Sequence, residues 1–279
     1  MTVDAHHHVW DLSVRDQDWI TGAELRPLRR NFTLADLTPQ TRAAGVDRTV
    51  LVQTITVPEE TPELLALAGE HDLVGAVVGW TDLTRPDVAD ELTRLRELPG
   101  GRYLKGIRHQ VQGEPDPQWL LRPDVRRGLA AVADAGLVYD LVVLPHQLPA
   151  CAKAAASLPG LTFVLDHLGK PPIAVGELEP WATAVRTLAA LPNTVAKLSG
   201  LVTEADHASW AAGDLRPYTD VALEAFGPHR LMFGSDWPVC TLAAGYGEVL
   251  TVAGELTAEL SEPERAAVLS GTAARVYRL

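Results

Sequence analysis

The 279-residue sequence lacks the features that mark several classes of protein. Its two cysteines, Cys151 and Cys240, lie far apart with no CxxC pair, which argues against a disulfide framework and against a zinc ribbon. Acidic residues outnumber basic ones 36 to 24, and the net charge is −12. Because no basic stripe is present either, nucleic acid is not an expected partner.

Long hydrophobic runs are also missing. The longest ones, such as LVGAVVGW and LVYDLVVL, are too short to span a bilayer. The residues before the first histidine lack the cationic start and the apolar run of a signal peptide. We therefore expect a cytoplasmic protein with no membrane partner, present as a monomer or a homodimer.

The sequence does contain a regular alternation of short apolar runs and helical patterns. The predicted strands are VDAHHHVW, RTVLVQTI, LVGAVVGW, YLKGIRHQV, LVYDLVVLP, LTFVLDHLG, TVAKLSGLV and RLMFGSDWP. The predicted helices include TPELLALAGEHD, RPDVADELTRLREL, RPDVRRGLAAVADAG, LEPWATAVRTLAAL and LRPYTDVALEAFG. Strands in alternation with helices indicate parallel βα units, and continuous apolar strands fit a sheet covered on both faces.

Eight such units most economically close into one (β/α)8 TIM-type barrel of the α/β class, formed by residues 1–279 as a single domain. An open doubly wound sheet is the alternative. It is disfavoured because no glycine-rich phosphate loop follows the first strand. Segments 11–33 and 110–122 are predicted to be long loops over the active face.

Histidines concentrate where the predicted strands end. In a barrel of this kind the chemistry gathers at the carboxyl ends of the strands. Six of the nine histidines lie there, and so do several other polar residues. In chain order the strand ends carry His6, His7, His8, Gln53, Trp80, Asp82, Arg108, His109, His146, His167, Lys197, Ser199 and Asp236.

The triplet in DAHHHVWD is the first of these clusters. Side chains alternate between the two faces of a strand, so His6 and His8 are predicted to face inward together and His7 to face away. Two imidazoles on one inward face can share a divalent ion or flank one carbonyl group. An exposed strand start with no such role is the other interpretation.

Asp236, in GSDWP, ends the last strand, which lies beside the first strand in a closed barrel. Its carboxylate can ligate the same ion as His6 and His8, or accept a proton from an attacking water; a turn or capping role is the alternative. Ser235 is not predicted to be a nucleophile, because no GxSxG elbow surrounds it.

For the charged residues on the other strands, the sequence leaves more than one role possible. Arg108 offers a planar guanidinium fork suited to a carboxylate or a polarised carbonyl. Lys197 and Ser199 share one face of strand seven, and Lys197 either enters the pocket or neutralises a nearby acid. Asp140 shares the face of His146 on strand five and either orients a ligand or closes an internal ion pair.

Taken together, DAHHHVWD, KGIRHQ, LPHQLP, DHLGKP, KLSGLVTEAD, DLRPY and LMFGSDWPV resemble the amidohydrolase-related lactone hydrolases. That branch includes L-fuconolactone, L-rhamnonolactone and sulfomuconolactone hydrolases. The resemblance extends over nearly the whole chain. It implies a distorted barrel and attack of water on a lactone carbonyl. It also identifies His6 and His8 with the family's His-x-His, His167 with its strand-six histidine, and Asp236 with its last-strand aspartate.

The metal content implied by the resemblance is at most one divalent ion, commonly zinc and not always essential. Binuclear members of the superfamily use a carboxylated lysine at the end of strand four. Here that end carries Arg108 and His109, and Lys105 lies further back. The predicted single site consists of His6, His8 and Asp236, with water or His167 as a fourth ligand.

The first functional hypothesis is a hydrolase that opens a small lactone, such as a sugar lactone. Asp236 would accept the proton of water, Arg108 and His109 would stabilise the oxyanion or bind substrate, and His167 would assist proton transfer. The residues expected to contact substrate are His109, His146, Trp10, Gln53 and Lys197. A metal-dependent decarboxylase of a small aromatic or muconate-type acid and a barrel that binds a sugar acid without turnover are the alternatives.

Overall fold

Eight parallel strands form one sheet in which each strand pairs with the next in the chain. The structure is a computed structural model that describes all 279 residues. The strands are β1 (Val3–His7), β2 (Arg48–Val52), β3 (Val74–Gly79), β4 (Leu104–His109), β5 (Val138–Leu141), β6 (Phe163–Leu165), β7 (Thr194–Leu198) and β8 (Leu231–Phe233). All eight lie within the predicted strand segments.

The sheet closes between its first strand and the segment that follows its last. The amide of His8 donates to the carbonyl oxygen of Trp237 at 2.7 Å, and the amide of Asp236 donates to that of His6 at 2.8 Å. Together with the flanking helices, this makes a nearly closed (β/α)8 barrel. The predicted fold class is confirmed, and the open doubly wound sheet is excluded.

Helices surround the sheet. They are α1 (Leu34–Ala43), α2 (Glu60–Glu70), α3 (Val88–Glu97), α4 (Pro123–Asp134), α5 (Leu148–Ser157), α6 (Trp181–Ala189), α7 (Leu201–Glu204), α8 (Ala212–Phe226), α9 (Tyr246–Leu256), α10 (Glu262–Ala266) and α11 (Thr272–Tyr277). Local signals set their ends: Thr33 and Asp36 form a capping box at the start of α1. Helix α4 begins with a proline at its first position. It is terminated by Gly136, which has a φ of +67° just beyond the last turn. None of the helices combines the length and the apolar character that crossing a membrane requires.

Two apolar layers hold the barrel. The inner layer takes alternate residues of the strands, such as Val50 and Val52 on β2, together with Tyr277 of α11, which lies at the amino end of the barrel. The outer layer fills the space between the sheet and the helices and includes Leu51 of β2. Because the inner layer fills the amino-terminal half of the barrel, the polar side chains further along the strands are left facing the carboxyl end.

Candidate active site

A cavity of about 260 Å³ opens at the carboxyl ends of the strands. Four residues singled out in the sequence lie in its wall, namely His8, Arg108, His167 and Asp236. The two long loops also contribute to it, with Trp19 and Leu25 from the first and Gln110 and Gln112 from the second. The remaining wall is formed by Thr54, Val142, Lys170, Thr203, Glu204, His207, Val239 and Leu242.

A bulge in β1 determines which of the three consecutive histidines face the inside of the barrel. Val3 and Ala5 belong to the inner apolar layer, so strict alternation would turn His7 into the barrel. The pairing of β1 with β2 shifts register between Asp4 and His7, and the extra residue brings His6 inward directly after Ala5. His7 instead contacts the hydroxyl of Thr49, at 2.9 Å from its Nε2.

Asp4 fixes this bulge from the outer side. Its carboxylate accepts hydrogen bonds from the amide of His6, from the amide and hydroxyl of Ser235, and from the hydroxyl of Tyr246. Burial raises the pKa of Asp4 to about 6, against the lowering effect of these donors. Ser235 therefore joins the two ends of the sheet, which fits its predicted lack of a nucleophilic role.

Three imidazoles surround one oxygen of Asp236. The distances to Oδ1 are 3.5 Å from Nε2 of His8, 3.8 Å from Nε2 of His6 and 3.9 Å from Nε2 of His167. The two Nε2 atoms of His6 and His8 are 3.2 Å apart. Ligand atoms of His6, His167 and Asp236 all lie within 4.8 Å of one another, so this group could hold a metal ion.

The ring nitrogens of His8 and His6 have further partners. Nδ1 of His8 donates to the carbonyl oxygen of Val52 at 2.7 Å, which directs its Nε2 toward Asp236. Nε2 of His6 lies 3.3 Å from a guanidinium nitrogen of Arg108, and its Nδ1 lies 3.2 Å from Nζ of Lys197, so cationic donors face both nitrogens of this ring. The Nε2 atoms of His6 and His8 face each other beside a carboxylate, an arrangement that a cation between them would satisfy.

The ionisation states fit that arrangement. Burial lowers the pKa of His6 well below its usual value and, despite the nearby charge of Asp236, lowers that of His167 to about 4. Both rings are therefore neutral at neutral pH. Burial by itself raises the pKa of Asp236, but His167, His8 and His6 together outweigh it and hold the pKa well below its usual value. Its carboxylate is therefore ionised and can coordinate a cation or accept a proton.

A buried layer of charge lies beneath the cavity. Nζ of Lys197 is 2.5 Å from Oδ2 of Asp140 and 2.9 Å from Oδ1 of Asp166, and all three side chains are fully buried. Arg108 reaches Oδ2 of Asp166 at 2.9 Å, and the hydroxyl of Tyr277 donates to Asp140 at 2.8 Å. Oδ1 of Asp166 also lies 3.4 Å from Nδ1 of His6, so this layer orients the His6 ring from below.

The backbone after β6 is left-handed. His167, Leu168, Gly169 and Lys170 have φ values of +53°, +50°, +72° and +55°. Three of these residues are not glycine, so the surrounding packing must hold them in this conformation. Part of that packing is Gly200, where an added Cβ would lie 2.6 Å from Nδ1 of His167.

Arg108, predicted to stabilise the oxyanion or to bind substrate, is engaged with protein groups. It lies in the cavity wall but is only 2 % exposed. Its five N–H groups are directed at Asp166, at Nε2 of His6 and at the side chain and carbonyl of Gln53. Gln53 in turn is buried behind Arg108 and does not reach the cavity. Lys197 is also fully buried and lies below the cavity.

The other three expected substrate contacts also lie outside the cavity wall. The Trp10 indole is buried against Phe32 and donates to the carbonyl of Arg30. His109 stacks on Trp119 and is held in side-chain hydrogen bonds. β5 ends at Leu141, which leaves His146, the third of these residues, on an exposed turn.

Sequence reasoning missed several residues of the site. Asp166 precedes His167 in DHLGKP and shares the inward face of Val164, a signal that was available. Lys170 and Glu204 reach the cavity from turns beyond β6 and β7. No strand pattern could place them, because the left-handed turn after β6 decides where Lys170 points.

Comparisons with known proteins agree with this geometry. The model of the amidohydrolase family matches residues 3–279. An L-fucono-1,5-lactonase of Burkholderia multivorans is 43% identical, and the alignment covers 100% of this chain and 96% of that protein. An L-fucono-1,5-lactonase of Burkholderia ambifaria is 38% identical over 99% of this chain and 95% of that protein. The crystal structure of a Burkholderia multivorans amidohydrolase with bound zinc is 42% identical, covers 100% and 99% of the two chains, and superposes with a TM-score of 0.92. The chain belongs to the amidohydrolase family.

Proposed function

We propose that this protein hydrolyses a small sugar lactone, of the kind represented by L-fucono-1,5-lactone, to the corresponding hydroxy acid. One observation carries the proposal: the ionised carboxylate of Asp236, in the wall of the cavity, lies within 3.9 Å of three imidazole nitrogens. Two relatives that align over nearly the whole chain carry the name of this activity. Thr54, Gln110, Gln112 and Thr203 in the cavity wall supply amide and hydroxyl groups suited to an oxygenated ring.

The donor set fits one divalent ion, which we propose to be zinc. His6, His8 and Asp236 would hold it through two nitrogens and one oxygen, the ligands that zinc prefers, with His167 or water as a fourth ligand. Two zinc ligands about 2.0–2.1 Å from the metal at a tetrahedral angle lie about 3.3 Å apart, and the Nε2 atoms of His6 and His8 are 3.2 Å apart. A bound ion would supply Lewis-acid polarisation of the carbonyl or of water. Arg108 and Lys105 at β4 offer no bridging carboxylate for a second ion.

Asp236 is the base in this proposal. Its Oδ1 faces the imidazoles, while Oδ2 accepts no hydrogen bond from the rest of the chain and remains free to take a proton from water. The water oxygen adds to the ring carbonyl carbon, and the carbon–oxygen bond of the ring breaks. The ring oxygen leaves as a hydroxyl after receiving a proton. The product carboxylic acid then ionises, so each turnover releases one proton.

Arg108 and Asp166 act as positioning residues. Asp166 accepts from Arg108 at 2.9 Å and lies 3.4 Å from Nδ1 of His6, so it helps to orient that ring. Because the guanidinium is engaged with protein groups, it contributes its charge and its hold on His6 rather than a free donor for the substrate.

The test is hydrolysis of sugar lactones in weak buffer with a pH indicator, measured against the spontaneous rate. We expect acid release by the wild type and a loss of about 10²–10⁴-fold in kcat for Asp236→Asn, because an amide cannot accept the proton. Asp134→Asn changes an exposed aspartate on α4 and serves as the matched control, with an unchanged rate. A loss of only a few-fold in Asp236→Asn would remove this residue from the role of base.

The same assay separates the other two hypotheses. A decarboxylase of a small aromatic or muconate-type acid would release carbon dioxide and leave sugar lactones untouched. A barrel that binds without turnover would release no acid from any lactone. Titration calorimetry, as a second measurement, would then show that it binds a sugar acid. Either result would contradict the lactonase proposal.

A further inference from the structure

Two charged residues in the cavity wall have no part in the proposed proton transfer. Lys170 follows β6 and Glu204 ends α7, beyond β7. In the order of the strands around the barrel, β6 and β7 lie two and three strands away from β4, which Gln110 follows. The two charges therefore form a separate side of the cavity.

The ion pair between them is loose. Nζ of Lys170 is 3.6 Å from Oε1 of Glu204, beyond hydrogen-bond distance, and each side chain is 25% exposed. On the outer surface, by contrast, Arg15 and Glu63 make two contacts at 2.8 and 2.9 Å. Because neither Lys170 nor Glu204 has another side-chain partner, both retain unused hydrogen-bonding capacity at the cavity.

Holding these charges here is unfavourable for the folded chain by itself. Burial raises the pKa of Glu204, the charge of Asp236 raises it as well, and Lys170 only partly offsets them. Lys170 also adopts a left-handed conformation, with φ +55°, that lysine seldom takes. Backbone strain and poorly paired charge that coincide in a cavity wall are typical of groups kept for a ligand.

We propose that Lys170 and Glu204 together bind adjacent hydroxyl groups of the lactone ring, and so select sugar lactones over lactones without hydroxyls. A hydroxyl is both a donor and an acceptor, so one can donate to Glu204 while its neighbour accepts from Lys170. The 3.6 Å gap leaves the two charged groups close enough to share a diol and too far apart to satisfy each other. This inference rests on the proposed function, since it names the part of the substrate that these residues contact.

The experiment compares L-fucono-1,5-lactone with δ-valerolactone, a six-membered lactone that has no hydroxyls. For Glu204→Gln and Lys170→Met we expect kcat/KM on the sugar lactone to fall by about 10–100-fold, the usual effect of losing a hydrogen bond to a charged group. The change should appear mainly in KM, with kcat retained. On δ-valerolactone the variants should stay within about threefold of the wild type, because no hydroxyl contact exists to be lost.

Glu63→Gln breaks a surface ion pair and is the matched control, with both lactones unaffected. An equal loss on both lactones, or a loss in kcat with KM unchanged on the sugar lactone, would overturn the inference, because a structural or chemical role would then explain it. Unchanged kinetics on the sugar lactone would overturn it too. A wild type that hydrolyses neither lactone would instead contradict the proposed function, and this inference with it.

Discussion

Replacing Lys197 with methionine tests the buried charge layer beneath the cavity. In the wild type its ammonium group lies 2.5 Å from Asp140 and 2.9 Å from Asp166, and none of the three side chains is exposed. Methionine keeps most of the apolar stem, so the change removes the charge with little change in packing. It leaves two buried carboxylates facing one remaining cation, Arg108.

The magnitude follows from that imbalance. Removing one partner of a buried ion pair costs about 3–5 kcal/mol, because the charge that is left has neither water nor a counter-ion. With a urea slope of about 3 kcal/mol/M, the unfolding midpoint should fall by about 1.0–1.7 M. Lys153→Met, at an exposed position on α5, is the control and should leave the midpoint unchanged.

The deficit should also depend on pH. The pKa of Asp140 is raised to about 6, chiefly by burial, while Lys197 pulls it down. Without Lys197 the pKa rises further. A carboxyl whose folded-state pKa is raised favours the folded state at low pH, and this contribution is lost as pH rises through that pKa. The variant should therefore be closer to the wild type at about pH 5.5 than at about pH 8.

Urea titrations followed by tryptophan fluorescence, with wild type and variant at both pH values, measure these differences. Should Lys197→Met fail to fold, the double variant Lys197→Met/Asp140→Asn provides a second measurement. It removes one stranded carboxylate and should recover part of the lost stability. A deficit below about 1 kcal/mol, or one that grows as the pH falls, would refute the reasoning.

Three further outcomes are expected. His7→Ala should retain most lactone hydrolysis and His8→Ala should lose most of it, because only the second ring faces the cavity; equal losses in rate assays would show that the bulge is misplaced. Metal analysis of protein purified without chelator should give at most about one divalent ion per chain, since the site has three imidazoles and one carboxylate; two tightly held ions would contradict a single site. Burial raises the pKa of the Cys151 thiol to about 12 and that of Cys240 well above its usual value. A thiol reagent at mildly alkaline pH should therefore label neither cysteine until urea unfolds the protein, and rapid labelling of native protein would contradict their burial.

The barrel could be predicted from the sequence because its strands have a strong and simple pattern. Runs such as RTVLV and VGAVVG are largely apolar and alternate with amphipathic helices, an order that indicates parallel βα units. The missing glycine-rich phosphate loop then favours a closed barrel over an open sheet. The sequence was less informative about where each strand stops. LVYDLVVLP is apolar well beyond Leu141, where β5 ends, so His146 was placed on a strand that does not extend to it.

The residues of the candidate site likewise differ in how far the sequence could predict them. His6, His8, His167 and Asp236 were predicted from residue type, strand-end position and the resemblance to a known family, whereas the partners of Arg108 could not be read from a linear pattern. A guanidinium at a strand end looks identical in sequence whether it faces a substrate or, as here, donates to Gln53 and Asp166. Only the neighbours around the barrel decide between the two, and these neighbours lie 55 and 58 residues away in the chain. Residues that need one strand to specify them are therefore predictable, and residues whose role depends on a partner from another strand require the fold.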